Sequence, residues 1–330
     1  MAFKKTITFI SITTAWSFSV TKTATSKSNA YKSPVFPNDE TKRTTPSTVS
    51  NVEIELPDFD QLFDRIRLTS PLASVILDNI DGDFQMADEL YISDLKWKTI
   101  ESHKKKTVHK IEKIDNFQNL GCPIVRFRAS IDGPCIGMKF VDYIVNENER
   151  SKWDPQIDKV TNLYPAYDVN DCTIKTNFKY GDFKMLGIGY TLTKPYMMID
   201  GREQLTLCGL QELPNKGALI WGVELEPRHD DKFPKATVRH TRARTHLFSV
   251  ALAPTKNGTS FDAEYVLQLD CGGNLPSFVT TMVLIDTVKH MFNAAKKDFG
   301  NAETMKPWIQ SIDDAKEDAL ADQFGILVPP

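Results

Sequence analysis

Cysteine is scarce: five residues in 330, at Cys122, Cys135, Cys172, Cys208 and Cys271. They are scattered, odd in number and include no Cys-x-x-Cys, which argues against a disulfide framework or a zinc site and for mostly buried free thiols. No stretch is long and apolar enough for a comfortable membrane span. Ile7–Val20 is diluted by serine and threonine and is only fourteen residues long. An excess of one charge is missing too, since 40 Lys/Arg stand against 43 Asp/Glu for a net charge of −3. The chain lacks His-Glu-x-x-His, Gly-x-Ser-x-Gly, a phosphate-loop pattern and Gly-x-Gly-x-x-Gly. The metalloprotease, serine-hydrolase and nucleotide-binding signatures are thereby absent. No internal repeat is visible.

The charge that is present is unevenly placed. Residues 1–50 carry seven Lys/Arg and two Asp/Glu, and the remaining 280 carry 33 and 41. A basic head on a mildly acidic body gives no support for nucleic-acid binding by the body. In the head, Lys4 and Lys5 precede the apolar Ile7–Val20, and Ser28-Asn29-Ala30 offers small residues for cleavage. Residues 21–50 are rich in Thr, Ser and Lys. The expectation is a signal-like or transit-like leader over 1–50, pointing to the secretory route or a plastid; without such a leader the protein is cytoplasmic. Asn257-Gly258-Thr259 is a formal glycosylation acceptor, but Asn-Gly between strand patterns reads better as a tight hairpin turn.

The body is organised by its hydrophobic periods. Leu56, Phe59, Leu62, Phe63 and Ile66 predict a lead-in helix within 51–69, and Ser70-Pro71 starts a second helix with a cap and an N-terminal proline. Strands are expected from Trp97 onward, at Val108–Ile114 and Ile124–Ile131. A helix through Ile136, Phe140, Val141, Ile144 and Val145 ends near Arg150–Pro155. In that ending, Trp153 packs the helix end and Asp154 caps the turn. Further strands are expected at Lys159–Tyr164, Cys172–Tyr180, Met197–Cys208, Ala218–Glu226, Thr237–Leu252 and Ser260–Asp270. Leu275, Phe278, Val279, Met282, Ile285, Val288, Phe292 and Ala295 then form one apolar stripe on a helix of about 24 residues. The tail beyond 300 carries a weak helical pattern from Trp308 to Leu320. This order is α+β: an antiparallel sheet with a long closing helix, not alternating β and α.

That order and three motifs resemble the START lipid-transfer domain, a helix-grip fold, over about residues 72–299. The motifs are Arg150-Ser-Lys-Trp153-Asp154, Lys194-Pro195-Tyr196 through Arg202, and Asp270-Cys-Gly-Gly-Asn-Leu275-Pro276. Tyr196 and Met197 stand where the family has an Arg-Asp pair. The resemblance implies a curved antiparallel sheet wrapped around the C-terminal helix, enclosing a hydrophobic tunnel for one sterol, phospholipid or similar lipid. It implies binding and carriage between membranes rather than bond breaking, a monomer in transient contact with membrane surfaces, and neither cofactor nor metal. It divides the chain into a leader (1–50), a lead-in (51–69), the lipid-binding domain (70–300) and a polar tail (301–330).

Arg202 matches an arginine that the family pairs with a carboxylate, whose place falls near Asn177 or Asp182 here, and Asp182 or Asp200 could act with Arg202. It either meets a polar ligand group or serves as a surface ion-pair residue. Trp221, Phe248, Tyr265, Leu267 and Leu269 line the tunnel or form plain core. Leu275, Phe278, Val279 and Met282 close it, with Gly272 and Gly273 as a hinge or a simple turn. His240, Arg242, Arg244 and His246 alternate along one strand and read as a solvated outer face, with Ala243 and Leu247 inward unless a bulge intervenes near Thr245. An enzyme of cyclase or hydrolase type in the same cavity, using Arg202, Asp182, Asp200 or Tyr196, and a lipid-gated regulator remain open.

Overall fold

The computed structural model describes residues 57–78, 95–162, 183, 185–195, 199–212, 217–225, 240–255, 257–273 and 275–310. The strand expected at Cys172–Tyr180, the leader and Asp182 lie outside them.

Two short helices lead in. Asp58 caps α1 (Phe59–Thr69), its carboxylate accepting from the Gln61 amide at 3.2 Å. Ser70 caps the next turn by accepting from the Ala73 amide at 3.1 Å, and Pro71 opens α2 (Pro71–Asp78), where a missing N–H costs nothing. Leu62, Phe63 and Ile66 of α1 and every residue of α2 from Pro71 to Leu77 are buried.

The strands are β1 (Lys98–Ser102), β2 (Val108–Ile114), β3 (Ile124–Asp132), β4 (Ile157–Asn162), β5 (Met185–Thr193), β6 (Gly201–Glu212), β7 (Ala218–Glu224), β8 (His240–Pro254) and β9 (Ser260–Asp270). Between β3 and β4 run α3 (Gly137–Val145) and the single-turn α4 (Glu147–Arg150), and α5 (Ser277–Phe299) closes the domain. All nine strands form one sheet in the order β1-β2-β3-β9-β8-β7-β6-β5-β4. Consecutive neighbours are antiparallel, and beyond the end of β7 the starts of β6 and β8 pair in parallel, Gly201–Gln204 against His240–Ala243. The curved sheet with a long C-terminal helix on one face is the expected helix-grip architecture.

Each face of the sheet has its own core. Ile220, Val250, Tyr265, Phe127 and Ile111 stand opposite one another across five strands and point to α3 and α5. One step along, Trp221, Ser249, Val266, Arg126 and Glu112 form the neighbouring row, on the α1–α2 face. Hence β7 is buried on both sides from Ala218 to Val223.

Three expectations change. Strand β5 was not foreseen, because Gly187 and Gly189 interrupt its apolar alternation. The bulge foreseen near Thr245 falls at His246, since the β8–β9 register shifts between Thr245 and Leu247. Leu247 therefore packs on the α1–α2 side rather than beside Ala243. Residues 302–310 form a helix whose Met305 is buried in the α5-side core, so the packed region continues past residue 300.

Candidate functional site

The inner face of the sheet, the one turned toward α5, is unevenly filled. On β6 the outer-face residues Glu203, Leu205 and Leu207 are buried, whereas Arg202, Gln204, Thr206 and Cys208 on the inner face are only half-buried. Next to them on β5, Gly187 and Gly189 stand opposite Cys208 and Thr206 and contribute no side chains. A methyl group at Gly189 would meet nothing closer than the Thr206 carbonyl at 3.8 Å and the Cys208 sulfur at 3.9 Å. Thr206 and Thr245 face each other with hydroxyl oxygens 3.4 Å apart. Burial pushes the Cys208 thiol up to about 12, so it remains a neutral group on this face.

Toward α5 the lining becomes aromatic. Tyr265 packs edge-on against Phe248 at 5.3 Å and Phe127 at 5.8 Å, and meets Phe292 of α5 at 6.3 Å between ring centroids. Burial raises the Tyr265 phenol above its ordinary value, and Arg150 and Asp154 lie within electrostatic reach of it. Those two are paired at 3.3 Å, and Asp154 also accepts from the Gln156 amide at 3.1 Å, the turn cap expected from the sequence. Trp153 is buried beside them, its indole N–H donating to the Tyr143 carbonyl at 3.1 Å. Leu267 is buried and Leu269 half-buried on this same face.

Helix α5 divides along its length. From Ile285 to Phe299 its stripe of Ile285, Val288, Met291, Phe292, Ala295 and Phe299 is buried. Over the first two turns the stripe has no such cover: Phe278 is 68% exposed and Met282 53%, with Val283 beside them at 55%. Leu275 and Val279 are half-buried. The apolar spacing is continuous, but its burial is not.

Arg202 points to this end of the molecule and is held by backbone. Its Nε donates to the Cys271 carbonyl at 2.6 Å, Nη2 to that of Gly272 at 3.4 Å, and Nη1 to that of Asp200. Asp200 is exposed and meets the guanidinium through its carbonyl, not its carboxylate. Gly272 and Gly273 both take positive φ, 64° and 69°, and a side chain at Gly272 would lie 2.6 Å from the Arg242 carbonyl. The turn before α5 thus requires glycine and is tied to β6 through Arg202.

The other sequence candidates go elsewhere. Trp221 is fully buried on the α1–α2 face, against Phe59, Phe63 and Phe183 at 5.6–6.0 Å between centroids, which removes it from any space between sheet and α5. The His240–Arg242–Arg244 row is half-buried rather than a solvated face: Arg242 lies 3.1 Å from the fully buried Glu203, and Arg244 lies 3.3 Å from Glu224. Ion pairing offsets the cost of that partial burial. Among the described residues no cluster of His, Cys, Asp or Glu is arranged to hold a metal ion, and no helix is long and apolar enough to cross a membrane. Gln204 and Thr206 were not singled out from sequence, and Thr245 only as the place of a bulge. The available signal was the alternation of β6, whose apolar residues Leu205 and Leu207 mark the opposite face.

No family model matches the chain, and no curated protein matches it either. Solved START domains are among the structures similar to it. Human STARD10 is 16% identical and aligns over 79% of this chain and 90% of its own, with a TM-score of 0.49. The human StarD13 lipid transfer and protein localization domain is 12% identical over 60% and 88%, at 0.46. A STAR-related lipid transfer protein fragment from Xanthomonas axonopodis is 11% identical over 62% and 99%, at 0.45. The helix-grip fold of the present chain rests on its own strand order and on the seating of α5.

Proposed function

We propose that this protein binds one hydrophobic lipid between the inner face of its sheet and α5, and carries it between membranes. The observation that carries the reading is the contrast on β6: side chains on the α1–α2 side are buried, and those on the α5 side are not. Small and neutral groups there (Gly187, Gly189, Thr206, Cys208) leave room that an apolar ligand can fill. Phe248, Tyr265, Leu267 and Leu269 supply its apolar wall, and Leu275, Phe278, Val279 and Met282 its cover. The uncovered apolar start of α5 is costly in water, at roughly 25 cal/mol per Å². It is less so at a membrane surface, where lipid replaces water and a transient contact would open the cover. Binding and release need no cofactor, and a monomer suffices.

The test is to purify the full chain natively from a lipid-rich host and identify extracted lipids by mass spectrometry. One dominant lipid at roughly one per protein is expected. Folded protein that carries none rules the reading out. Arg202→Ala is expected to loosen the turn before α5. The lost bonds to the Cys271 and Gly272 carbonyls should speed hydrogen exchange over 270–276 by about tenfold, with faster lipid release and the same lipid identity. Loss of one lipid class with unchanged exchange would instead make Arg202 a direct contact to the ligand's polar group.

A further inference from the structure

The turn that joins β8 to β9 stands apart from the lipid-binding space. Its Asn257-Gly258-Thr259 is the single Asn-x-Ser/Thr in the 330 residues, with glycine rather than proline in the middle. All three residues are exposed. Asn257 Oδ1 accepts from the Thr255 hydroxyl at 2.8 Å and from the Thr259 amide at 3.3 Å, the second bond closing an Asx turn. Gly258 takes a φ of 66°, its amide donates to the Thr255 carbonyl at 2.8 Å, and an added methyl there would meet nothing within 4 Å. Asn-Gly thus makes the tight turn, and the same turn presents the acceptor asparagine at the surface.

Both of these bonds to the Asn257 carboxamide end on its oxygen, so a substituent on Nδ2 breaks neither. Backbone bonds brace the turn as well: the Thr255 amide donates to the Ser260 carbonyl at 2.9 Å, and the Gly133 amide to the Thr259 carbonyl at 2.8 Å. Gly133 in turn lies against the Phe299 carbonyl, so the turn sits by the C-terminal end of α5. Pro254 pairs with Phe261 at this end of β8 and β9, and Arg244 with Asp270 at the other, beside the Arg202-held turn. At about 3.3 Å per residue the two ends are roughly 30 Å apart. A glycan is bulky and hydrated, and this is a place where one fits without disturbing packed structure.

We propose that Asn257 carries an N-linked oligosaccharide, acquired as the leader takes the chain through the secretory route. The donor is of the polyprenyl-diphosphate-linked oligosaccharide class. Asn257 Nδ2 forms a bond to the anomeric carbon of the first sugar. The bond from that carbon to the diphosphate oxygen breaks, and its electron pair leaves with the diphosphate. One amide proton passes to a base of the transferase, and nothing is oxidised or reduced. Thr259 supplies the hydroxyl that completes the acceptor motif. The glycan then projects from the end of the sheet remote from the exposed start of α5, and leaves that apolar end free to meet a membrane. This last consequence rests on the lipid-carrier reading; attachment of the sugar does not.

The experiment translates the full chain, with its own leader, in the presence of endoplasmic-reticulum microsomes. A heavier form is expected, returned to the lighter one by peptide N-glycosidase, with heavy oxygen from labelled water entering at Asn257. The label separates enzymatic release from the spontaneous deamidation to which Asn-Gly is prone. Asn257→Gln and Thr259→Ala should lose the heavier form completely, and Thr259→Ser, which keeps the hydroxyl, should retain it. A chain left bare behind its own leader overturns the proposal, even where a foreign signal sequence restores the modification. A heavier form that survives Asn257→Gln overturns it as well. Protein from a secretory host, with and without glycosidase treatment, is then compared for lipid transfer to phosphatidylcholine vesicles. Equal rates support the remote placement of the sugar, and faster transfer after its removal overturns that placement. Absence of lipid from both forms counts against the carrier reading alone.

Discussion

Trp221→Ala is expected to destabilise the protein by about 3–5 kcal/mol and to leave the lipid content of the surviving folded protein unchanged. The indole is fully buried and forms the floor beneath α1, with Phe59 and Phe63 standing edge-on to it and Phe183 tilted against it. Its ring also fills the space above Gly209, where a methyl group would lie 2.3 Å from Cζ2. Removing it opens a cavity that rigid strands on either side cannot close, and α1 loses its main purchase on the sheet. Denaturant midpoints measure the loss, and extraction of the folded fraction measures the lipid. A variant of normal stability that had lost its lipid would put Trp221 back in the ligand's path and reverse the face assignment.

Trp221 also illustrates what sequence could and could not decide. In β7 every residue from Ala218 to Val223 is buried, so a period of two carries no information about which face meets α5. The ambiguity comes from α1 and α2, which cover a face that would otherwise be wet. Both helices were legible, α1 from its apolar spacing and α2 from the Ser70-Pro71 step, local signals that work without tertiary contacts. The stripe of α5 was legible for the same reason. What its spacing could not tell is that the stripe is buried from Ile285 onward while Phe278 and Met282 stand exposed. The His240–Arg244 row misled by the rule that alternating charge means solvent. Glu203 and Glu224, supplied by β6 and β7, neutralise it inside the fold. The pairing of His246 on β8 with Glu224 on β7 joins distant segments, and no local spacing could have announced it.

Two strand glycines test the assignment of faces and the ligand reading together. Gly189 and Gly209 are both flanked by apolar strand residues, and both have ordinary negative or extended φ, so a side chain is tolerable to the backbone at either. Their surroundings differ. Gly189 faces the half-filled inner side, with its nearest contacts at 3.8 and 3.9 Å, whereas Gly209 lies directly under the Trp221 ring. Gly189→Leu is therefore expected to fold with stability equal to the wild type or slightly greater, since a strand interior gains from a side chain. It should weaken lipid retention by about tenfold or more, because the new side chain overpacks the space a ligand would use, at roughly 1–3 kcal/mol. Gly209→Ala should do the opposite, costing about 1–3 kcal/mol of stability through the clash with the indole while the folded protein keeps its lipid. Melting curves and lipid mass spectrometry on both variants give four readings. If Gly189→Leu kept its lipid while Gly209→Ala lost it, the binding space would lie on the α1–α2 side and the lipid reading of the inner face would fall. If both kept it, no ligand would lie beside β5 and β6, and the half-buried face of β6 would need another occupant.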